Sequence, residues 1–164
     1  MTRAVLRGFS VRLLRVIGCA AILPLGIQCV SSARAADNCT GYDAGVLQSA
    51  DTIDLGHGMK QTTMRWHSIL FSNDSIYNMV TGECSFVVLQ TPDNKVQYQG
   101  FCARHDKDGE TQSIAIRLPP GADKIEWKST GGTGKYAGKQ DSGWAQNALT
   151  DGKMGVVKWG GDCH

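Results

Sequence analysis

The sequence predicts an all-β domain built as a single antiparallel barrel of about eight strands, and two observations carry that prediction. Apolar residues alternate with polar ones along short segments, and turn-forming residues separate those segments at regular intervals. In "TQSIAIRLP", for example, Ile114, Ile116 and Leu118 share one face and polar side chains share the other. After the first 36 residues we find no apolar recurrence at intervals of three and four, so no helix is predicted.

Eight strands follow from this alternation. They are predicted near residues 43–50, 58–72, 75–91, 95–105, 110–118, 123–129, 135–147 and 153–159. The segments between them contain turn sequences such as "SND", "TPDN", "DKDG", "PPGA", "GGTG" and "TDGK". Strands joined mostly by hairpins favour an up-and-down barrel, which closes to hide its edges. A sandwich with the same number of strands fits the alternation equally well.

The N-terminal segment has the pattern of an export signal. Arginines precede the apolar run "VIGCAAILPLGIQCV", and "ARA" offers a small-x-small cleavage site near Ala35/Ala36. The prediction is a signal peptide over residues 1–35 and one barrel domain over 37–164, located in the periplasm or secreted. The apolar run is shorter than the roughly 20 residues that a membrane span needs, so no stable membrane insertion is expected after cleavage. A lipid-modified Cys19 is the lesser alternative.

The charge of the mature chain argues against nucleic-acid binding. Five arginines and no acidic residue lie in residues 1–35, which leaves 12 Lys and Arg against 15 Asp and Glu. The excess of basic residues in the full chain therefore belongs to the predicted signal. A mildly acidic domain of this length offers no basic surface for phosphates.

Four cysteines, Cys39, Cys84, Cys102 and Cys163, remain after the signal, and an exported chain favours disulfides between them. The sequence "ECSFVVLQTPDNKVQYQGFCAR" predicts two strands around a three-residue turn with Asn94 in the left-handed conformation. In that register Cys84 and Cys102 are directly opposed and within bridging distance. By elimination Cys39 pairs with Cys163, which ties the two ends of the domain together.

The glycine run "STGGTGKYAGKQDSGW" raises the question of a phosphate-binding loop. A Walker A loop fails, because Ser129 stands where its first glycine belongs and Tyr136 stands where its hydroxyl belongs. A dinucleotide loop needs a helix after the glycines, and none is predicted. We therefore interpret the run as a structural hairpin whose return strand starts at Lys135, with Gly143 at a bulge or bend, and expect no cofactor. The hairpin glycines are Gly131, Gly132, Gly134 and Gly138.

The same run carries a resemblance to a known superfamily. "TGGTGKYAG" followed by "SG", with "GFCARHDKDGE" before it, resembles the allene oxide cyclase and dirigent-like β-barrels, especially small exported bacterial members. The resemblance covers roughly residues 75–147 and implies an eight-stranded barrel with a central cavity. In the plant members that cavity holds a lipid-derived epoxide or guides phenoxy-radical coupling. Because the shared motif is a hairpin, it transfers no catalytic residue.

Five strand residues are candidates for a site: Arg65, His67, Glu83, Arg117 and Glu126. A histidine amid apolar neighbours can act as a general base or ligand contact, although a core or surface histidine with one hydrogen bond is commoner. The four charged residues would make a polar anchor if they converged inside the barrel, because buried charges must be paired. The plainer alternative is exposed cross-strand pairs, each contributing about 0.2–1 kcal/mol.

Other chemistry finds no support in the sequence. "HDKDGE" has the look of a calcium loop, but Arg117 occupies the twelfth position counted from Asp106, so we predict a hairpin turn. No closely spaced pair of metal ligands is present, and no metal is expected. The G-x-S-x-G pattern of a nucleophilic serine is missing as well.

The leading functional hypothesis is a non-enzymatic exported barrel that binds a small, partly apolar molecule. Six aromatic residues are available for its interior: Trp66, Phe71, Phe86, Trp127, Trp144 and Trp159. The alternative is an isomerase or cyclase-like enzyme, which requires at least two of the five candidate residues to face one cavity. A further alternative is an envelope protein-interaction module that uses the rim loops. The sequence makes no prediction of oligomeric state.

Overall fold

The chain folds into a closed barrel of eight antiparallel strands, each hydrogen-bonded to its neighbours in sequence order. The computed structural model describes residues 37–164; the predicted signal peptide, its cleavage site and Cys19 lie outside the described residues. The elements are β1 (Cys39–Gly56), β2 (Met59–Ser72), β3 (Val80–Gln90), β4 (Val96–His105), β5 (Thr111–Leu118), β6 (Ile125–Gly132), a 3-10 turn (Gly134–Tyr136), β7 (Ser142–Thr150) and β8 (Met154–Asp162).

The ring is closed by pairing between the first and last strands. Cys39 lies opposite Gly161, and the ladder continues to Val46 opposite Met154. This pairing confirms the barrel and rejects the sandwich, because no free edge separates two sheets. The predicted all-β class and the eight strands are confirmed, and so is the barrel that the superfamily resemblance implies.

Both predicted disulfides form. Asn94 has a φ of 61°, and the Thr91 amide donates to the Lys95 carbonyl at 2.9 Å, as the predicted three-residue turn requires. Cys84 therefore lies opposite Cys102 and is bonded to it. Cys39 is bonded to Cys163, 124 positions away along the chain.

The ends of the described chain are also held by hydrogen bonds. The Asn38 side chain accepts from the Cys163 amide at 2.8 Å and donates to the Cys163 carbonyl at 2.9 Å. The Asp37 carboxylate accepts from the Trp144 indole N–H at 2.9 Å. Residues 37–39 and 162–164 are thus fixed to each other at one end of the barrel.

Three strands depart most from the sequence prediction, and β6, β7 and β8 each end three residues later than predicted. β1 is longer than predicted, because beyond Val46, where its pairing with β8 ends, it stays paired with β2 as far as Gly56. β3 begins at Val80, since residues 73–79 form a loop that buries Tyr77. β7 begins at Ser142 instead of residue 135, because a 3-10 turn buries Tyr136 before the chain turns back.

These connections give the barrel two different ends. Successive hairpins of an up-and-down barrel lie at alternate ends, so loops 73–79, 106–110 and 133–141 share one end with both chain termini. We call it the closed end, because Tyr77 and Tyr136 are buried there. The other end, which we call the open end, carries only the short turns near residues 57, 93, 121 and 152.

The strand glycines at the closed end make room for indole rings. Gly143 was predicted to lie at a bulge, but it sits in a regular ladder opposite Trp127 and Gly161. A Cβ atom at Gly143 would overlap the Gly160 carbonyl oxygen and lie 2.8 Å from Trp127 Cζ2, closer than these atoms pack. Glycine is therefore required here by the close approach of the β8 backbone and of the Trp127 ring.

Positive φ angles are found in the turn that follows β6. Gly134 and Gly138 have φ angles of 53° and 74°, which only glycine adopts without strain, whereas Gly131 and Gly132 end β6 in extended conformation. The run is thus a structural turn, as predicted. Among residues 37–164 no helix has the length and apolar character needed to span a bilayer.

The two disulfides are expected to stabilise the barrel unequally. Replacing Cys39 and Cys163 by alanine should lower the free energy of unfolding by about 5 kcal/mol, against about 3 kcal/mol for Cys84 and Cys102, because the first pair closes a far longer loop of the unfolded chain. Urea titrations of the two double variants measure the difference. A larger loss for Cys84 and Cys102 would contradict this expectation.

Candidate functional site

The barrel encloses a cavity of about 270 Å³. Pockets for small organic molecules occupy roughly 300–1,000 Å³, so this volume suits a ligand of one or two rings. The walls are largely apolar and aromatic, with these side chains among them: Met64, Trp66, Phe86, Val88, Tyr98, Ile116, Trp127, Val157 and Trp159. The Cys84–Cys102 disulfide forms part of the wall.

One group of polar residues interrupts this apolar lining. Asp43, Ser68, Arg104 and Gln112 face the cavity, and we call them the polar floor. Arg104 lies opposite Gln112 in one ladder and opposite Gly82 in the next, and Gly82 lies opposite Ser68. Ser68, Arg104 and Gln112 therefore lie at one level on three strands in the half of the barrel nearer the closed end, and Asp43 joins them from β1.

An ion pair forms the centre of the polar floor. Arg104 Nη2 donates to Asp43 Oδ2 at 3.1 Å, and the two side chains are only 13% and 17% exposed. Burial lowers the pKa of Arg104, while the charge of Asp43 and its hydrogen bond oppose that shift. An arginine keeps its proton under all ordinary conditions, so the pair is a cation and an anion whose charges balance.

Several buried polar atoms around this ion pair have no partner among residues 37–164. They are Asp43 Oδ1, Ser68 Oγ, Arg104 Nε, Gln112 Oε1 and Trp159 Nε1. All five belong to residues that line the cavity. Buried polar groups in native proteins nearly always have hydrogen-bond partners, since an unpaired group costs about 1–3 kcal/mol. Five such atoms around one cavity require hydrogen-bond partners there, which bound water or a polar ligand group can supply.

Two buried tyrosine residues hold the loops of the closed end together next to the polar floor. The Tyr77 hydroxyl donates to the buried Asp141 carboxylate, and the Tyr136 hydroxyl donates to the Ile76 carbonyl at 2.8 Å. Burial, followed by the hydrogen bond to Asp141, raises the pKa of Tyr77 far above its ordinary value. Burial raises the pKa of Tyr136 to about 12. Both phenols therefore stay neutral, and their contacts fix loops 73–79 and 133–141 together.

The five candidate residues from the sequence lie on the outer surface. Arg65 donates to Glu83 at 3.1 Å, and Arg117 donates to Glu126 at 2.7 Å. All four side chains are exposed, as is His67 on the same outer face of β2. The four charged residues therefore form exposed cross-strand ion pairs instead of a polar anchor inside the barrel. The isomerase hypothesis required at least two of these five residues to face one cavity, and none of them does.

Four of the six aromatic residues proposed for the interior line the cavity: Trp66, Phe86, Trp127 and Trp159. Phe71 is exposed on the outer face of β2. Trp144 also faces outwards, where its ring lies under the Lys124 ammonium group at 4.6 Å. Phe71 alternates with Trp66 along β2, and Trp144 alternates with the buried Ala145 along β7, so both rings lie on the outer face once the ring is closed.

The polar floor itself was missed in the sequence. A signal for Arg104 existed, because it shares the face of Cys102 in the predicted hairpin, two residues further along β4. Asp43 was placed at the first residue of a predicted strand, and Ser68 and Gln112 carried no distinguishing pattern. A closed ring is needed before these four residues can be seen as neighbours.

Lys135, which follows the glycine cluster, is held by carboxylates. Its ammonium group contacts Asp106, Asp108 (3.3 Å) and Glu110 (3.2 Å) of the β4–β5 turn. That turn is the predicted hairpin, with Gly109 at a φ of 77°. No group of three metal-binding side chains is found in residues 37–164. This lysine therefore anchors the glycine turn to its neighbour and is not free to hold a phosphate.

Comparisons with known proteins find similar barrels at low sequence identity. The pterocarpan synthase dirigent protein has a TM-score of 0.49 and 16% identity over 74% of this chain and 85% of that chain. Pyocyanin demethylase has a TM-score of 0.43 and 19% identity over 73% of this chain and 98% of that chain. No protein-family model and no curated protein sequence matches the chain.

The Lys135 cluster makes a prediction about stability and pH. The hydrogen bond from Lys135 lowers the pKa of Asp106, so this carboxylate stabilises the fold above its unfolded pKa of about 3.9 and loses that effect as the pH falls through the lower folded pKa. Lys135→Met should lower the urea midpoint at pH 7, because three carboxylates then repel one another. The loss should shrink below about pH 4 as they become protonated.

Lys107→Met is the matched control for that experiment. Lys107 contacts only Asp108 and is almost fully exposed, so its removal should change the urea midpoint little at any pH. Equal losses for the two variants, or a Lys135→Met loss that does not vary with pH, would reject the role assigned to the cluster.

Proposed function

We propose that this protein is an exported binding protein that holds a small, partly apolar molecule inside its barrel. The observation that carries the proposal is the cavity, which joins aromatic walls to one buried polar floor. An apolar body would pack against Trp66, Phe86 and Tyr98, and a polar head would reach Asp43 and Arg104. Concave, mostly apolar sites with a few convergent polar groups are typical of small-molecule binding.

Binding is favoured over catalysis for a specific reason. The charged residues that the isomerase alternative needed lie on the outer surface in mutual ion pairs. The two phenols nearest the floor, Tyr77 and Tyr136, are already committed to Asp141 and to a backbone carbonyl. The interior therefore supplies hydrogen-bonding groups and shape, which suffice for a carrier.

Export is supported by two independent features. Residues 1–35 combine basic residues with an apolar run and a small-x-small site. The barrel carries two disulfides, which persist in oxidising compartments such as the periplasm or the extracellular space. We infer that the barrel works outside the cytoplasm.

Binding of a neutral apolar probe tests this proposal. The two-ring dye 6-propionyl-2-(dimethylamino)naphthalene fluoresces strongly in apolar surroundings, and a bound molecule should also quench Trp66, Trp127 and Trp159, which line the cavity. We expect saturable binding by both signals. Val88→Phe, which adds a ring to the wall, should weaken it by about tenfold or more, since a packed site tolerates added volume poorly.

Val87→Phe is the matched control, because Val87 precedes Val88 in β3 but is exposed on the outer surface. It should leave probe binding unchanged. Absence of saturable binding, or equal weakening by the two variants, would overturn the proposed function.

A further inference from the structure

We infer that the ligand carries an uncharged head that both donates and accepts hydrogen bonds, and that a primary carboxamide is the class of head group that fits. This inference rests on the proposed function. It begins from the geometry of the ion pair in the polar floor. Arginine and carboxylate groups often pair through two parallel hydrogen bonds, but Arg104 and Asp43 share only one. Arg104 Nε–H and Asp43 Oδ1 are therefore both left for another partner.

The charge of the floor selects against ionic heads. Arg104 already balances Asp43, so a carboxylate would add an anion beside Asp43 and an ammonium group would add a cation beside Arg104. An uncompensated charge in a largely apolar cavity is strongly unfavourable. A neutral head adds no such penalty.

The unpartnered atoms also define how many hydrogen bonds the head must make. Arg104 Nε and Trp159 Nε1 are donors, Asp43 Oδ1 and Gln112 Oε1 are acceptors, and Ser68 Oγ can be either. A primary carboxamide has two N–H donors and a carbonyl oxygen with two lone pairs, which matches two acceptors and two donors. A ketone or ester would leave both acceptors unpaired, and an alcohol has one hydrogen for two of them.

Four probes with one aromatic body separate these possibilities: naphthalene, 2-naphthamide, 2-acetonaphthone and 2-naphthoate. Calorimetric titration of the purified protein at pH 7 should show 2-naphthamide binding about tenfold or more tighter than the ketone and the carboxylate, because unpaired buried groups penalise the wrong head. The ketone should gain little over naphthalene. A carboxylate that binds as tightly as the amide, or an amide no better than the ketone, would overturn the inference.

A double variant assigns the preference to the floor. Asp43→Leu with Arg104→Met removes both charges together, which proteins tolerate better than loss of one partner. Whatever its affinity for naphthalene, its ratio of 2-naphthamide to 2-acetonaphthone affinity should fall from about tenfold to near one. If it does not fold, the four probes on the native protein still decide the matter. Failure of naphthalene itself to bind would reject the proposed function, whereas binding of naphthalene without an amide preference would reject this inference alone.

Discussion

The pairing of β1 with β8 is the interaction on which the rest of the structure depends. Without it the molecule would be an open sheet with two long edges, and its two faces would be equivalent in their access to water. Closure turns one face into an interior and separates apolar residues from polar ones. It also brings Asp43 of β1 within reach of Arg104 of β4, although two strands lie between them in the ring. The site therefore exists only as a consequence of closure.

Closure alone does not leave a cavity, since an eight-stranded barrel is just wide enough for its side chains to fill. Space remains here because large and small residues are unevenly distributed. Near the closed end Trp127 and Trp159 pack edge to face, with ring centroids 6.0 Å apart. Elsewhere in the cavity wall Gly45 and Gly155 contribute no side chain. Side-chain packing near the closed end thus holds the barrel together, while the rest of its interior keeps an unfilled cavity.

The parts of this structure that could be predicted are those set by local sequence. Strand alternation and turn residues predicted eight strands, and the turn around Asn94 fixed the register that pairs Cys84 with Cys102. The polar floor depends on contacts between strands far apart in the chain. In sequence Arg65, Arg104 and Arg117 each lie in a strand with apolar neighbours, and Arg104 alone shares its strand face with a cysteine of the predicted disulfide. That face becomes the interior only when the ring closes.

The polar floor is expected to contribute little to the stability of the barrel. A buried ion pair is often no more stabilising than apolar residues of the same volume, and unpartnered polar atoms around it are unfavourable. The apolar residues around Arg104 and Asp43 show that the barrel readily accommodates hydrophobic side chains in the same interior. Stability is supplied elsewhere, by the bond between Cys39 and Cys163 and by the Lys135 cluster at the closed end. Polar residues that add little to a fold and yet converge on one cavity are explained by a binding role, which is why we assign ligand recognition in the proposed function to the floor and not to the exposed ion pairs.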